Sequence, residues 1–211
     1  MRYNEDGYFI HTIPVSATPY DLTVIDTDHI AVSYNTLNYI EVIDIRKMIV
    51  LKTVKFKNNC WGISYSDGKI YVVVRYEGIV VLDIEGTILN TVKCSIDVSN
   101  ITTIDKRVYY TRQNQGSVHC CRITGDEIWD FNDKTLGTPR GICAAQDQNV
   151  FVVGYQSNNL LMVQDDGKVR LTLLTKTDGL DRPSRVCYNK EKNMLLVCNQ
   201  TNGVAVLFRV L

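Results

Sequence analysis

The sequence predicts an all-β fold, a β-propeller of about five four-stranded antiparallel blades. Three observations indicate it: a similar segment recurs at offsets of 41, 38, 41 and 44 residues, further short apolar runs follow each copy, and no helical periodicity is evident. A period near forty residues is typical of propeller blades, each of which is one four-stranded meander.

The repeat is clearest in the segment that opens each unit. The five copies read PYDLTVI, CWGISYS, VSNITTI, PRGICAA and PSRVCYN, and they begin at Pro19, Cys60, Val98, Pro139 and Pro183. A second run follows nine to eleven residues later, as in HIAVSY, KIYVVVR, RVYYTRQ, NVFVVGY and MLLVCNQ. These runs are short and rich in Val, Ile and Tyr, which favours strands over helices.

Two more runs complete most units, after turns that contain Gly, Asn and Asp, such as QNQG and DDG. One isolated meander would expose apolar side chains on both faces, so the units must stack face to face around a ring. We predict one domain, 1–211, with blades at about 19–57, 58–96, 97–136, 137–180 and 181–211.

The two ends of the chain predict how the ring closes. The last unit stops after three strands, while the apolar strand 8–16 precedes the first unit without a partner. We therefore expect strand 8–16 to pair with the third strand of the last unit and remove an exposed edge. The alternative is that the chain is part of a larger, six-bladed ring.

Composition limits the classes of function. Twenty-three basic and twenty-three acidic residues give a formal net charge of zero, which disfavours DNA and anionic membranes as partners. The opening MRYNEDGYFI lacks the apolar core of a signal peptide, and no apolar run could span a bilayer. We expect a cytoplasmic protein that does not bind membranes.

The seven cysteines are expected to be reduced thiols. Their number is odd and they show no C-x-x-C spacing, so neither a complete disulfide framework nor a zinc site is predicted. Most of them lie in apolar strand runs, where a free cysteine behaves as a small hydrophobic residue.

The repeat resembles the NHL-repeat propellers found at the carboxyl end of tripartite-motif ubiquitin ligases. The best copy, PRGICAAQDQNVFVVGYQSNNLLMVQDDGKV (139–169), is similar to that family in its Pro-x-Gly-Ile opening, apolar second strand, Asn-containing turn and Asp-Gly turn. The family commonly has Asp at the end of the second strand, where this chain has Tyr34, Tyr76, Gln113, Tyr155 and Asn199. The resemblance implies a module that binds protein or RNA, either as part of a longer ligase or as a stand-alone propeller.

The candidate site is the rim at which the first strands begin, which we call the entry rim. In a propeller the first strands line the axis, and the turns joining second and third strands lie at the same rim. One aligned position holds Tyr20, Trp61, Ser99, Arg140 and Ser184, and the next holds Asp21, Gly62, Asn100, Gly141 and Arg185. The turns add Tyr34, Arg75, Tyr76, Arg112, Gln113, Tyr155, Gln156 and Asn199.

Tyr, Trp and Arg dominate interface hot spots, so we expect the entry rim to bind a protein partner. RNA is the alternative, because arginines and aromatic rings can hold unpaired bases. Asp21 and Asn100 are the only metal-ligating side chains at the two aligned positions, and His11, His29 and His119 fall in different parts of the repeat. We therefore expect no metal, no cofactor and no enzymatic activity. A metal-dependent propeller hydrolase is the alternative hypothesis that the sequence favours least.

Overall fold

Each repeat folds into one antiparallel sheet, and the five sheets form a ring. The computed structural model describes residues 1–4, 6–94, 97–201 and 203–210. The chain starts with β1 (Arg2–Tyr3) and β2 (Phe9–His11), which pair with each other. The predicted five-bladed β-propeller is confirmed.

Blades 1 to 4 are four-stranded meanders, and the described part of blade 5 has three strands. Blade 1 comprises β3 (Asp21–Val24), β4 (His29–Ser33), β5 (Tyr39–Asp44) and β6 (Ile49–Lys55). Blade 2 comprises β7 (Cys60–Ser66), β8 (Lys69–Val74), β9 (Gly78–Asp83) and β10 (Ile88–Val92). Blade 3 comprises β11 (Val98–Ile104), β12 (Arg107–Arg112), β13 (Ser117–Arg122) and β14 (Glu127–Asn132). Blade 4 comprises β15 (Pro139–Ala144), β16 (Val150–Gly154), β17 (Asn159–Val163) and β18 (Arg170–Leu174). After a 3₁₀ turn (Lys176–Asp178), blade 5 comprises β19 (Pro183–Asn189), β20 (Met194–Asn199) and β21 (Ala205–Arg209).

The core consists of apolar layers between neighbouring blades. Because strand side chains alternate, Val72 of β8 packs toward blade 1 while Tyr71 and Val73 pack toward blade 3. Equivalent clusters join blade 3 to blade 4 and blade 4 to blade 5. This two-sided burial explains why the second strands read as nearly continuous apolar runs.

The N-terminal segment does not close the ring in the way that the sequence suggested. Tyr3 pairs with Phe9, so β2 lies in a separate two-stranded sheet and is not the fourth strand of blade 5. The physical reason is local: a turn closed by a 2.9 Å hydrogen bond from the Asn4 amide to the Tyr8 carbonyl brings β1 beside β2. Further along the chain, Ile13 and Ala17 pack against the face of blade 1 that is turned away from blade 2. Among the described residues, no helix is long and apolar enough to cross a membrane.

Candidate binding rim

The entry rim is shaped by a recurring bulge at the start of the first strands. In blade 2 the register shifts between Cys60 and Ile63, and in blade 4 it shifts between Pro139 and Ile142. Blades 3 and 5 show a shift at the same place. A bulge inserts an unpaired residue and re-aims its side chain. The residues at these bulges include Trp61, Ser99, Arg140 and Ser184, which are the predicted rim residues of blades 2 to 5.

Three of the predicted side chains form a continuous group across blades 5, 1 and 2. The guanidinium of Arg185 lies 4.8 Å from the ring centre of Tyr20. The Tyr20 ring in turn packs edge to face against Trp61, with 5.3 Å between ring centres. Burial raises the pKa of the Tyr20 hydroxyl, so it stays protonated and can donate a hydrogen bond. The indole Nε1 of Trp61 is buried without a hydrogen-bond partner among the described residues.

The next aligned position around the axis holds glycine in some blades and a larger residue in others. A Cβ on Gly62 would lie 2.8 Å from the Ser99 carbonyl oxygen, so glycine lets the first strands of blades 2 and 3 approach closely. The larger Asp21 and Arg185 fill the axis, with Arg185 Nε 3.8 Å from a carboxylate oxygen of Asp21. Burial raises the pKa of the Asp21 carboxyl, an effect that Arg185 opposes. The axis is therefore filled by a partly buried ion pair.

A cavity of about 250 Å³ opens in the entry rim between blades 2 and 3. It combines an indole, a phenol, a guanidinium, a carboxylate and side-chain amides. Its lining residues are Trp61, Arg75, Tyr76, Asp97, Val98, Ser99, Gln113 and Asn114. Arg75 stacks 4.9 Å from the ring centre of Tyr76, and Tyr76 is 63% exposed. Five residues that the repeat alignment assigned to this rim thus line one cavity.

The remaining predicted arginine and tyrosine contacts lie at blades 3, 4 and 5. Arg112 Nε donates a 2.8 Å hydrogen bond to the Asp97 carboxylate, which fixes one wall of the cavity. Arg140 lies 3.6 Å above the ring centre of Tyr155, and its guanidinium also donates to the Gln200 side chain. The exposed Gln156 lies beside Tyr155 in the same turn.

Several of the predicted rim residues are buried, among them Tyr34 and Asn199. Tyr34 is fully buried, and its hydroxyl donates to the Glu41 carboxylate. Asn199 is 4% exposed, and its side chain donates to the Gly179 carbonyl and accepts from the Asp181 amide. Tyr34 turns inward onto a buried carboxylate, and Asn199 ties the end of β20 to the loop before β19. Both are structural roles.

Sequence reasoning missed three residues of this surface. Asp97 and Asn114 line the cavity, and Arg182 lies 6.0 Å from the Tyr155 ring centre. Asp97 and Arg182 each stand immediately before a first strand, and the repeat alignment began one residue later. Extending the alignment by one residue would have found both of them.

Larger hollows lie at the opposite end of the ring. One of about 490 Å³ is lined by residues of blades 2 to 5, namely Ser66, Asp67, Ile104, Asp105, Ala144, Gln146, Tyr188 and Lys190. It has one aromatic residue and no arginine, and a hollow of about 540 Å³ has Arg107 and Arg122 but no aromatic residue. The smaller entry-rim cavity has a Trp, a Tyr and an Arg together. The residue types favour the entry rim as the binding surface, because indole, phenol and guanidinium groups contribute most of the binding energy at protein interfaces.

Comparison with known proteins supports the fold. No protein-family model matches the sequence, and no curated protein matches it. Two solved structures of virginiamycin B lyase from Staphylococcus aureus are similar. A catalytically inactive histidine-to-alanine variant with quinupristin is 19% identical, with a TM-score of 0.66 over 98% of this chain and 75% of that one. The selenomethionine-substituted protein is 20% identical, with a TM-score of 0.67 over 99% and 76%. A streptogramin B lyase is 14% identical, with a TM-score of 0.63 over 94% and 86%.

These neighbours correct one expectation. We expected no enzymatic activity, and that expectation is contradicted because these three similar propellers are lyases. At 14–20% identity the likeness shows the fold alone. A similarity specific to the NHL propellers is not shown by these comparisons. What they show is a five-bladed β-propeller whose structural neighbours include the virginiamycin B and streptogramin B lyases.

Proposed function

We propose that this propeller recognises a polypeptide partner through the entry rim. The single observation that carries the proposal is the cavity between blades 2 and 3, in which Trp61, Arg75 and Tyr76 converge. A rim of this composition can bury aromatic area and make directed hydrogen bonds at the same place. The neutral net charge favours a polypeptide over a nucleic acid.

The resemblance of residues 139–169 to NHL repeats supports a more specific version of this proposal. In that version the propeller is the substrate-recognition module of a tripartite-motif-like ubiquitin ligase, and the catalytic parts belong to another region or another chain. The cavity and the Trp61 group would then face the substrate. The specific version requires the captured partner to be ubiquitinated when the ligase parts are present.

The test uses exposed residues, so that loss of binding is not loss of folding. The variant Arg75→Gln/Tyr76→Asn removes the cation–π pair, and Asn tolerates the left-handed backbone at position 76, where φ is 65°. The matched control is Arg46→Gln/Tyr8→Asn, which changes an exposed arginine and an exposed tyrosine outside the predicted rim. Partners captured from an extract of the producing cells are compared by quantitative mass spectrometry.

The proposal requires at least one protein to be captured by the wild type and the control and lost from the cavity variant. It is overturned if all captured proteins bind the three forms equally. Urea unfolding of the three forms checks that their stabilities agree.

A second candidate is a catalytic propeller that acts on a small molecule such as quinupristin. The observation that favours it is the similarity to virginiamycin B lyase, one structure of which contains quinupristin. Incubation of the purified chain with quinupristin, with and without added divalent metal, followed by liquid chromatography, tests this candidate. Time-dependent loss of the quinupristin peak supports it, and a constant peak under both conditions argues against it.

A further inference from the structure

Two arginines converge on one tyrosine ring at the entry rim between blades 4 and 5. Arg140, at the start of β15, places its guanidinium carbon 3.6 Å from the ring centre of Tyr155. Arg182, in the loop before β19, places its own 6.0 Å from the same centre. Arg182 is exposed, while Arg140 and Tyr155 are half-buried. A ligand that approaches the rim therefore meets both guanidinium groups.

The charges of this pair are not balanced within the described ranges. Two other arginines of the rim have carboxylate partners: Arg112 pairs with Asp97 and Arg185 with Asp21. Neither Arg140 nor Arg182 forms such an ion pair with a described residue. Arg140 donates to the neutral Gln200 side chain, and its Nε is buried without a hydrogen-bond partner among the described residues.

Two unbalanced guanidinium groups on one ring repel each other, and a buried N–H without an acceptor is costly. The fold nevertheless holds them in place. Tyr155 supports both through cation–π contacts, and the backbone amide of Arg182 donates a 2.6 Å hydrogen bond to the Asn158 side chain. Arg140 is preorganised for an anion, because its stacked and hydrogen-bonded side chain has already lost much of the freedom that binding removes. The hydrogen bond of the Arg182 backbone keeps the second guanidinium group on the same side of the ring.

We propose that Arg140 and Arg182 form a two-arginine clamp that binds an anionic side chain of the polypeptide partner. This inference rests on the proposed function and specifies the chemistry of that partner: a carboxylate or phosphate group on an extended peptide segment. Planar guanidinium groups bind both anions in a bidentate manner. The Trp61 cavity would take a different part of the same partner.

The direct test measures the binding of fluorescein-labelled peptides of equal length by fluorescence anisotropy. The peptides carry a central phosphoserine, a central Asp-Glu pair or an unmodified serine, and a polyuridine oligonucleotide is included. The clamp variant is Arg140→Gln/Arg182→Gln, and Arg46→Gln/Arg122→Gln is the control with the same change in charge at exposed residues. Tyr155→Leu removes the supporting ring, and Tyr155→Phe retains it.

We expect the wild type, the control and Tyr155→Phe to bind one or both anionic peptides at least about tenfold more tightly than the clamp variant does. None of these proteins should bind the unmodified peptide well. The phosphoserine and Asp-Glu peptides distinguish the two sources of the anion. Inorganic phosphate should raise the melting temperature of the wild type and the control but not of the clamp variant, since a ligand stabilises only a folded state that binds it.

Equal anisotropy titrations for the clamp variant and the control would overturn the clamp, as would the absence of binding by every anionic probe. Clamp-dependent binding of polyuridine alone would overturn the assignment to a polypeptide. Failure of the clamp is distinguishable from failure of the proposed function, because the Arg75→Gln/Tyr76→Asn variant would still lose its captured partner if only the clamp is wrong.

Discussion

The guanidinium of Arg185 donates a 2.7 Å hydrogen bond to the backbone carbonyl of Tyr20, which joins the last blade to the first across 165 residues of chain. Arg185 Nε also lies 3.8 Å from the Asp21 carboxylate. The four other blade boundaries are filled by apolar clusters, whereas the cluster on this side of blade 1 contains Ile13 and Ala17 of the N-terminal segment. Polar contacts near the axis therefore connect the ends of the ring.

Arg185→Ala should destabilise the ring by about 1–3 kcal/mol, because it removes a charged donor and leaves Asp21 without its cation. The pKa of the Asp21 carboxyl is already raised by burial, so ionisation of this group lowers stability as the pH rises through its folded-state pKa. Without Arg185 that pKa rises further. The destabilisation should be greater at about pH 7 than at about pH 4, because protonation of the carboxyl at low pH removes the unpaired charge.

Urea unfolding at the two pH values measures this difference, with Arg209→Ala as a control on the exposed β21 position. A loss of stability for Arg185→Ala that is independent of pH would show that the pair with Asp21 contributes nothing.

Gly141→Ala should destabilise the protein by about 1–3 kcal/mol through overpacking. A Cβ at this position would lie 2.6 Å from the Cα of Arg185 and 2.8 Å from the Val186 nitrogen, both of which are backbone atoms of blade 5. Gly137→Ala is the control, since its nearest atom would be 3.1 Å away. Thermal unfolding compares the two variants, and an equal melting temperature for both would contradict the close approach of blades 4 and 5.

His119 should make the protein less stable as the pH falls. Its ring stacks on Tyr110 between blades 2 and 3, and burial followed by the charge of Arg112 lowers its pKa. The unfolded chain then binds the proton more readily, so stability is present above the unfolded pKa near 6.5 and is lost below it.

Acidification from about pH 7 to about pH 5 should cost the wild type on the order of 1 kcal/mol more than His119→Phe, which keeps a stacking ring. Urea unfolding across this range measures the difference. Parallel pH profiles for the two proteins would rule out a buried neutral histidine.

Cys187 should react first with iodoacetamide in the folded protein. All seven cysteines are free, and Cys187 is the exposed one. Burial raises the pKa of Cys60 and Cys121 to about 12, so these thiols are both inaccessible and protonated. Peptide mass spectrometry after brief labelling checks the order. Labelling of Cys60 or Cys121 before Cys187 would contradict the packing between the blades.

The sequence predicted the blades well because the second and third strands of blades 1 to 4 are buried on both faces. The first-strand copies begin at Pro19, Cys60, Val98, Pro139 and Pro183, and the observed first strands begin within two residues of these positions. A repeated core imposes a repeated apolar pattern, which is visible in a single chain. The same alignment put Asp21 and Arg185 at one position near the axis, and the structure brings their side chains into contact.

Side-chain direction at the ends of strands was less predictable. Tyr34 and Tyr76 occupy equivalent repeat positions. Tyr34 is buried and its hydroxyl donates to Glu41, whereas Tyr76 is exposed beside Arg75. The difference depends on a buried carboxylate in a neighbouring strand and on a left-handed residue in the turn, and neither has a periodic signal. The pairing of β2 with β1 was missed for a similar reason, because a local turn determines it.

Site-specific photo-crosslinking is the most direct test of the claim that the entry rim is the binding surface. A benzophenone amino acid is placed at position 76, beside the cavity, and in a second protein at position 46, which is exposed in the turn between β5 and β6. We expect a polypeptide that is crosslinked from position 76 and is absent from position 46. A crosslink from position 46 alone would contradict it.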